Sequence, residues 1–259
     1  MQRIFLVGCP RSGTTIFQSL LAAHPEIISF PETKIFQYAL WDKFVEKFPE
    51  RLYQFFNNEI NRPESLQGFR ENQSMSDNIK MFLCILDSLT LEESKDIWVE
   101  KTPEHIFFIP EILSFLPYAK FIHIKRNGLD TIASMYEATR MPLNELWGGE
   151  WSLEYCIKRW KTCNLITKLY ENSPQHLVVK YEDLLADKVA VSRACCEFVG
   201  VEYDNTMVDN YKSEALKLGL KMPWHDGIDK EIKAPVTPKY KQIFQQYEID
   251  YILENLKVC

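Results

Sequence analysis

The hydrophobic pattern switches repeatedly between short apolar runs and longer stretches of helical spacing. Ile4–Val7 is a continuous apolar run closed by Gly8 and Pro10, as expected of a strand buried on both faces. Ile16, Leu20, Leu21 and Ala23 then mark one face of a helix that stops before Pro25. Ile27–Phe30, ended by Pro31, predicts a second strand. Ile97–Val99, Phe121–Ile124 and His176–Val179 predict a third, fourth and fifth. Between them, Ile106–Leu116 predicts a short helix, irregular around Pro110, and another helix begins at Leu129. Ser152–Tyr170 predicts a long helix with Tyr155, Trp160, Leu165 and Leu169 inward. Val189–Val199 predicts one closed by Gly200, and Tyr240–Leu256 a terminal amphipathic helix.

One stretch breaks the alternation. Phe36, Leu40, Phe44 and Phe48, and later Ile79, Phe82, Leu83 and Leu86, predict a helical insertion over about 34–94, with a loop at Asn57–Ser74. Strands alternating with helices predict one α/β domain over residues 1–259, with a central parallel sheet and helices on both faces.

Composition narrows the function classes. The chain has 259 residues, 46% hydrophobic and 25% charged, as in ordinary globular domains. Thirty basic against 36 acidic residues give a net charge of −6, which argues against a general nucleic-acid binder. No apolar run approaches the ~20 residues of a membrane span, and Met1–Gly8 is too short an apolar segment for a signal peptide. The seven cysteines are odd in number and hold no Cys-x-x-Cys, so neither a disulfide framework nor a zinc site is expected. A reducing, cytoplasmic setting is the expectation.

Any anion site must therefore be local, and two candidates stand out. Gly8-Cys9-Pro10-Arg11-Ser12-Gly13-Thr14-Thr15 has phosphate-loop spacing between the first strand and helix. Successive amides and the positive helix N-terminus converge there on one anion. Thr14 stands where a nucleoside-triphosphate loop has lysine, and the loop's cation is Arg11 instead. A magnesium-nucleotide kinase is thereby disfavoured, leaving a small-molecule kinase without its loop lysine as a rival reading. The second candidate follows the fourth strand: Arg126, with Ser134 two helical turns on. An arginine fork and a hydroxyl there could grip a terminal phosphate; the plain alternative is an Arg126–Asp130 ion pair.

Together these segments resemble the sulfotransferases that use 3′-phosphoadenosine 5′-phosphosulfate (PAPS). Pro10-Arg11-Ser12-Gly13-Thr14-Thr15 is similar to their 5′-phosphosulfate loop, and Arg126-Asn127 with Asp130 and Ser134 to their 3′-phosphate motif. Val179-Lys180-Tyr181-Glu182-Asp183-Leu184 resembles a further recurring segment. His24-Pro25 and Pro31-Glu32-Thr33-Lys34 bring the chain nearest the tyrosylprotein and bacterial branch. The resemblance spans about residues 4–200.

That resemblance implies PAPS as donor, adenosine 3′,5′-bisphosphate (PAP) as product, and no metal. It implies that Arg11, Ser12, Gly13, Thr14, Thr15, Arg126, Ser134 and Tyr181 bind the nucleotide. It further implies a nucleotide-covering segment over about 205–259, with Lys233 as a contact. In the steroid and phenol branch the general base is a His of Lys-Thr-His. Here the matching segment is Lys101-Thr102-Pro103, and Pro103 cannot accept a proton. In the tyrosylprotein branch the base is a glutamate that matches Glu32. The resemblance therefore implies Glu32, Arg11 and Lys101 as the catalytic set, with His105 as a rival base. The acceptor is left open among a small molecule, a saccharide, a glycolipid and a tyrosine-type group. A non-catalytic nucleotide-binding module of the same fold is the other rival reading.

Overall fold

The computed structural model describes residues 1–70, 72–218, 232 and 236–257. Five strands form one wholly parallel sheet: β1 Gln2–Gly8, β2 Ile27–Phe30, β3 Ile97–Lys101, β4 Lys120–Lys125 and β5 His176–Lys180. Their order is β2-β3-β1-β4-β5, so the central strand is the one that carries the phosphate loop. Because every strand runs the same way, the loops at residues 8–13, 31–34, 102, 126–127 and 181 all leave the same sheet edge. That edge is where open α/β sheets bind ligands.

Side-chain alternation along the strands divides the core into two layers. Phe5, Phe30, Trp98 and Phe121 face one layer, with Phe5 and Phe121 stacked at 5.6 Å. The insertion covers that face through Phe36, Phe55, Phe56 and Phe82, all with at most 1% exposure. Ile4, Leu6, Val99, Ile122 and Ile124 face the other layer, covered by helices Thr14–Ala22 and Lys188–Val199.

Two expectations on helices need correction. In helix Leu153–Tyr170 the inward residues are Cys156, Ile157, Cys163 and Thr167. Tyr155, Leu165 and Leu169 are exposed instead, and Trp160 is half-buried. The bulkiest apolar side chains of that helix lie outside its true stripe, so reading by size selected the wrong face. The terminal helix is two: Lys239–Ile243 and Gln246–Leu256. Phe244 is extended between them, and Gln245 and Glu248 form a reciprocal capping box that starts the second.

Candidate active site

The loop after β1 turns on two residues in the left-handed region, Arg11 at φ 69° and Gly13 at φ 98°. Gly13 is required twice over. Its φ favours glycine, and a Cβ there would stand 2.4 Å from Cδ2 of Tyr181. Tyr181, which opens the short helix after β5, thus closes over the loop. Gly8 is as constrained, since a Cβ would meet the Ile124 carbonyl at 2.6 Å.

Arg126, at the C-terminal end of β4, completes the cradle. Its Nη1 donates to the Arg11 carbonyl at 3.3 Å, and its guanidinium lies 4.7 Å from the centre of the Tyr181 ring. Trp160 Nε1 donates to the Arg126 carbonyl at 3.1 Å. The alternative pairing with Asp130 does not form. The Asp130 carboxylate instead accepts from Asn127 Nδ2 at 3.0 Å and from the Tyr240 amide at 3.3 Å, and the Asp130 amide donates to Asn127 Oδ1 at 2.9 Å. Ser134 lies against the other arginine: Arg11 Nε donates to its Oγ at 3.2 Å. Burial and the neighbouring Arg126 push the Arg11 guanidinium down to about 10, against the pull of Glu137 and Glu32. Arg11 remains a cation at neutral pH, beside a second cation.

The other half of the site caps β2 and β3. Lys101, 1% exposed, donates to Glu32 Oε1 and to Thr15 Oγ1, the latter at 3.3 Å. Glu32 Oε2 is 3.6 Å from Lys34 Nζ. Seven of the predicted site residues are therefore linked in two groups: Arg11 with Arg126, Ser134 and Tyr181, and Lys101 with Glu32 and Thr15. Lys233 lies outside the described residues.

Next to Lys101 on β3, Glu100 points into the opposite layer, fully buried. It accepts from the Thr33 amide at 2.9 Å, the Thr33 hydroxyl at 3.0 Å, the Thr102 hydroxyl and His105 Nδ1 at 2.9 Å. Burial alone would raise its pKa, but His105 and these donors hold the carboxyl below its ordinary range. His105 is thus held by Glu100. It is sealed at 0% exposure between Phe5 and Phe36.

Sequence reading did not find this network, nor Arg51, which reaches the same loop from the insertion. Both left a signal. Arg51 sits on the apolar stripe of Phe48, Leu52 and Phe55, and Glu100 continues the buried run Ile97–Val99. A charge at such a position needs a buried partner.

A cleft of about 610 Å³ opens beside Glu32, along the outer edge of β2. Ser29, Pro31, Lys34, Arg51 and Lys95 also line it, so the loop that carries Glu32 borders a cleft of ligand size.

Residues 3–205 match the sulfotransferase family. The chain belongs to that family. An uncharacterized protein of Aquifex aeolicus is 24% identical over 247 residues, covering 95% of this chain and 30% of that protein. Protein-tyrosine sulfotransferase 1 of Danio rerio is 22% identical over 211 residues, covering 80% and 56%. The chain thus spans 30% and 56% of the length of these curated relatives.

Solved sulfotransferases share the fold. The sulfotransferase domain from the Synechococcus PCC 7002 olefin synthase superimposes with TM-score 0.58 and 22% identity, covering 100% of this chain and 95% of that one. A mouse sulfotransferase complexed with PAP gives TM-score 0.59 and 15% identity, covering 99% and 82%. Among the described residues no helix is long and apolar enough to cross a membrane, and no cluster of three or more His, Cys, Asp or Glu residues is arranged to hold a metal ion.

Proposed function

We propose that this sulfotransferase-family protein transfers a sulfuryl group from PAPS to a hydroxyl or amine acceptor, releasing PAP. The observation that carries the reading is the convergence of Arg11, Arg126 and Ser134 on one loop of the sheet edge that also presents Glu32 and Lys101. The residues present fit a nucleotide with two anionic ends. Two cationic guanidiniums are pressed together, and Ser12 Oγ and Arg126 Nε are buried without a hydrogen-bond partner among the described residues. An anion relieves both features.

The roles are those that the resemblance implies. Arg126 and Ser134 hold the 3′-phosphate, and Tyr181 covers the nucleotide beside Gly13. Arg11, Thr14, Thr15 and the amides of Ser12 and Gly13 hold the 5′ side. The donor supplies the sulfuryl group, and its bridging oxygen keeps the electron pair of the broken bond. Lys101 and Arg11 are the cations available to stabilise that charge. Glu32, on the cleft, takes the proton that the acceptor loses as its new bond to sulfur forms.

Two measurements test the reading. PAP at 100 times its dissociation constant is expected to add about 2.7 kcal/mol of stability in the presence of EDTA. ATP, which lacks a 3′-phosphate for Arg126, is expected to shift the melting temperature much less. Equal shifts would remove the assignment of the two anion grips. Transfer from ³⁵S-labelled PAPS across a panel of phenols, saccharides, glycolipids and tyrosine peptides then reads the activity itself.

A further inference from the structure

The loop that carries Glu32 has almost no regular structure to hold it. It lies between the edge strand β2 and helix Ile35–Leu40, and Lys34 within it takes a positive φ of 53°. Its amides are fixed from one side. Thr33 donates to Glu100, and the Lys34 amide donates to Thr102 Oγ1 at 3.1 Å. The carbonyls of Glu32 and Thr33 are fixed from the other side by Arg51 of helix Phe48–Tyr53. Arg51 Nε donates to the Thr33 carbonyl at 2.8 Å, and Nη2 donates to the Glu32 carbonyl.

The guanidinium is itself oriented. Its two terminal nitrogens fork onto the carboxylate of Glu59, with Nη2–Oε2 at 2.8 Å. Glu59 ends the π-helical turn Gln54–Glu59, and Phe55 of that turn lies 5.7 Å beneath the guanidinium. Arg51 is only 6% exposed. Burying a guanidinium carries a desolvation cost that an apolar residue on this stripe would avoid. What the arginine adds is planar donors for two adjacent carbonyls and a carboxylate at once, which lysine, a point charge, does not match.

We infer that Arg51 is a positioning residue for Glu32, fixing its backbone through the Glu32 and Thr33 carbonyls, with Glu59 setting the guanidinium plane. The inference rests on the reading of Glu32 as the general base. Rotation of the loop about residues 32–33 would swing the Glu32 carboxylate away from Lys101 and the cleft. A displacement of about 1 Å at a reacting group costs on the order of 10²-fold in rate.

The test compares Arg51→Met, Arg51→Lys, Glu59→Gln, Glu32→Gln and the double variant Arg51→Met/Glu32→Gln. Turnover is followed with ³⁵S-PAPS over the acceptor panel, PAP affinity by calorimetry, and folding by melting temperature. A readout independent of the acceptor is the ¹³C NMR titration of the Glu32 carboxyl, assigned by its loss in Glu32→Gln. Arg51→Met is expected to lower kcat roughly 10- to 100-fold while PAP affinity stays within about threefold. Its Glu32 carboxyl should titrate at higher pH, because the contact with Lys101 is loosened. Arg51→Lys should recover part of both effects.

In the Glu32→Gln background Arg51→Met should cost nothing further, since both act through one group. A folded Arg51→Met with unchanged kcat and an unchanged Glu32 titration would overturn the inference. So would a full additional loss in the double variant. Near-normal turnover of Glu32→Gln would instead overturn the base reading beneath it. If Arg51→Met does not fold, Arg51→Lys and Glu59→Gln carry the same readouts, and an unchanged titration in both overturns the inference.

Discussion

Residues 8–13 and residues 31–34 leave the same sheet edge, yet they are held by different means. The phosphate loop is shaped by its own backbone: two left-handed residues, a turn closed by the Ser12 amide on the Cys9 carbonyl, and a helix starting at Thr14. The Glu32 loop is shaped by side chains from elsewhere, Arg51 nineteen residues on and Glu100 and Thr102 sixty-seven and sixty-eight residues from their partners. Backbone amides bind any anion of the right size, so the first half suits the invariant part of a donor. Side chains in a contact network can be exchanged, so the second half suits the part of the reaction that varies, the acceptor.

The largest expected effect breaks the second half without touching the first. Glu32→Gln keeps the size and part of the hydrogen bonding of the side chain but removes its basicity. Turnover is expected to fall by roughly 10²–10⁴-fold, with PAP affinity changed only a few-fold at most, as measured by calorimetry. If PAP binding collapsed along with turnover, the two halves would not be separable in the way the contacts indicate.

The next effect reverses the pattern. Arg126→Ala removes a charged grip on a phosphate that does not change during transfer, which is uniform binding. PAP affinity is expected to weaken by roughly 10- to 100-fold, the range for a charge-assisted hydrogen bond, with kcat nearly unchanged at saturating PAPS. Arg11→Ala should differ by lowering kcat as well, because charge develops on the 5′ side. A kcat defect in Arg126→Ala equal to that of Arg11→Ala would merge the two roles.

The same contrast explains what the sequence disclosed. The strands, the Gly8–Thr15 loop and the Arg126–Ser134 segment are local patterns, and each occupies the predicted place at the sheet edge. Glu32 was reached only through a resemblance, since nothing near it in sequence shows what holds it. Arg51, Glu59 and Glu100 were missed because their roles exist only once the insertion folds against β3. The face of helix Leu153–Tyr170 was misread because residue size stood in for position: Leu169 is 79% exposed, whereas Cys156 is buried. Tyr181 was readable as a candidate, but its reason, the ring over Gly13, is a contact across the sheet.

The smallest expected effect is on stability, and it falls first on the nucleotide side. His123 of β4 and His176 of β5 share a buried hydrogen bond, Nε2 to Nδ1 at 2.9 Å, and His123 Nδ1 meets Thr167 Oγ1 at 3.2 Å. The His176 ring is stacked between Phe121 at 4.7 Å and Tyr170 at 4.5 Å. Burial pushes His176 down to about 4; for His123, burial first and then its neighbour His176 push it down to about 3. Both histidines are therefore neutral in the folded chain, and the unfolded chain binds more protons below about pH 6.5. Stability from this pair is complete above pH 6.5 and is lost as pH falls toward 4. Glu100, on the Glu32 side, has its carboxyl held below the ordinary range, so its contribution is lost only at lower pH, once the carboxyl is protonated in the unfolded chain. Urea unfolding at pH 7 and pH 5 thus reads the pair, with an expected loss of about 4 kcal/mol, half from each histidine. His176→Asn should reduce that dependence by about half, whereas Glu100→Gln should lower stability at both pH values and leave the slope between them in place. A slope that survived His176→Asn unchanged would move the acid sensitivity away from the β4–β5 pair that presents Arg126 and Tyr181.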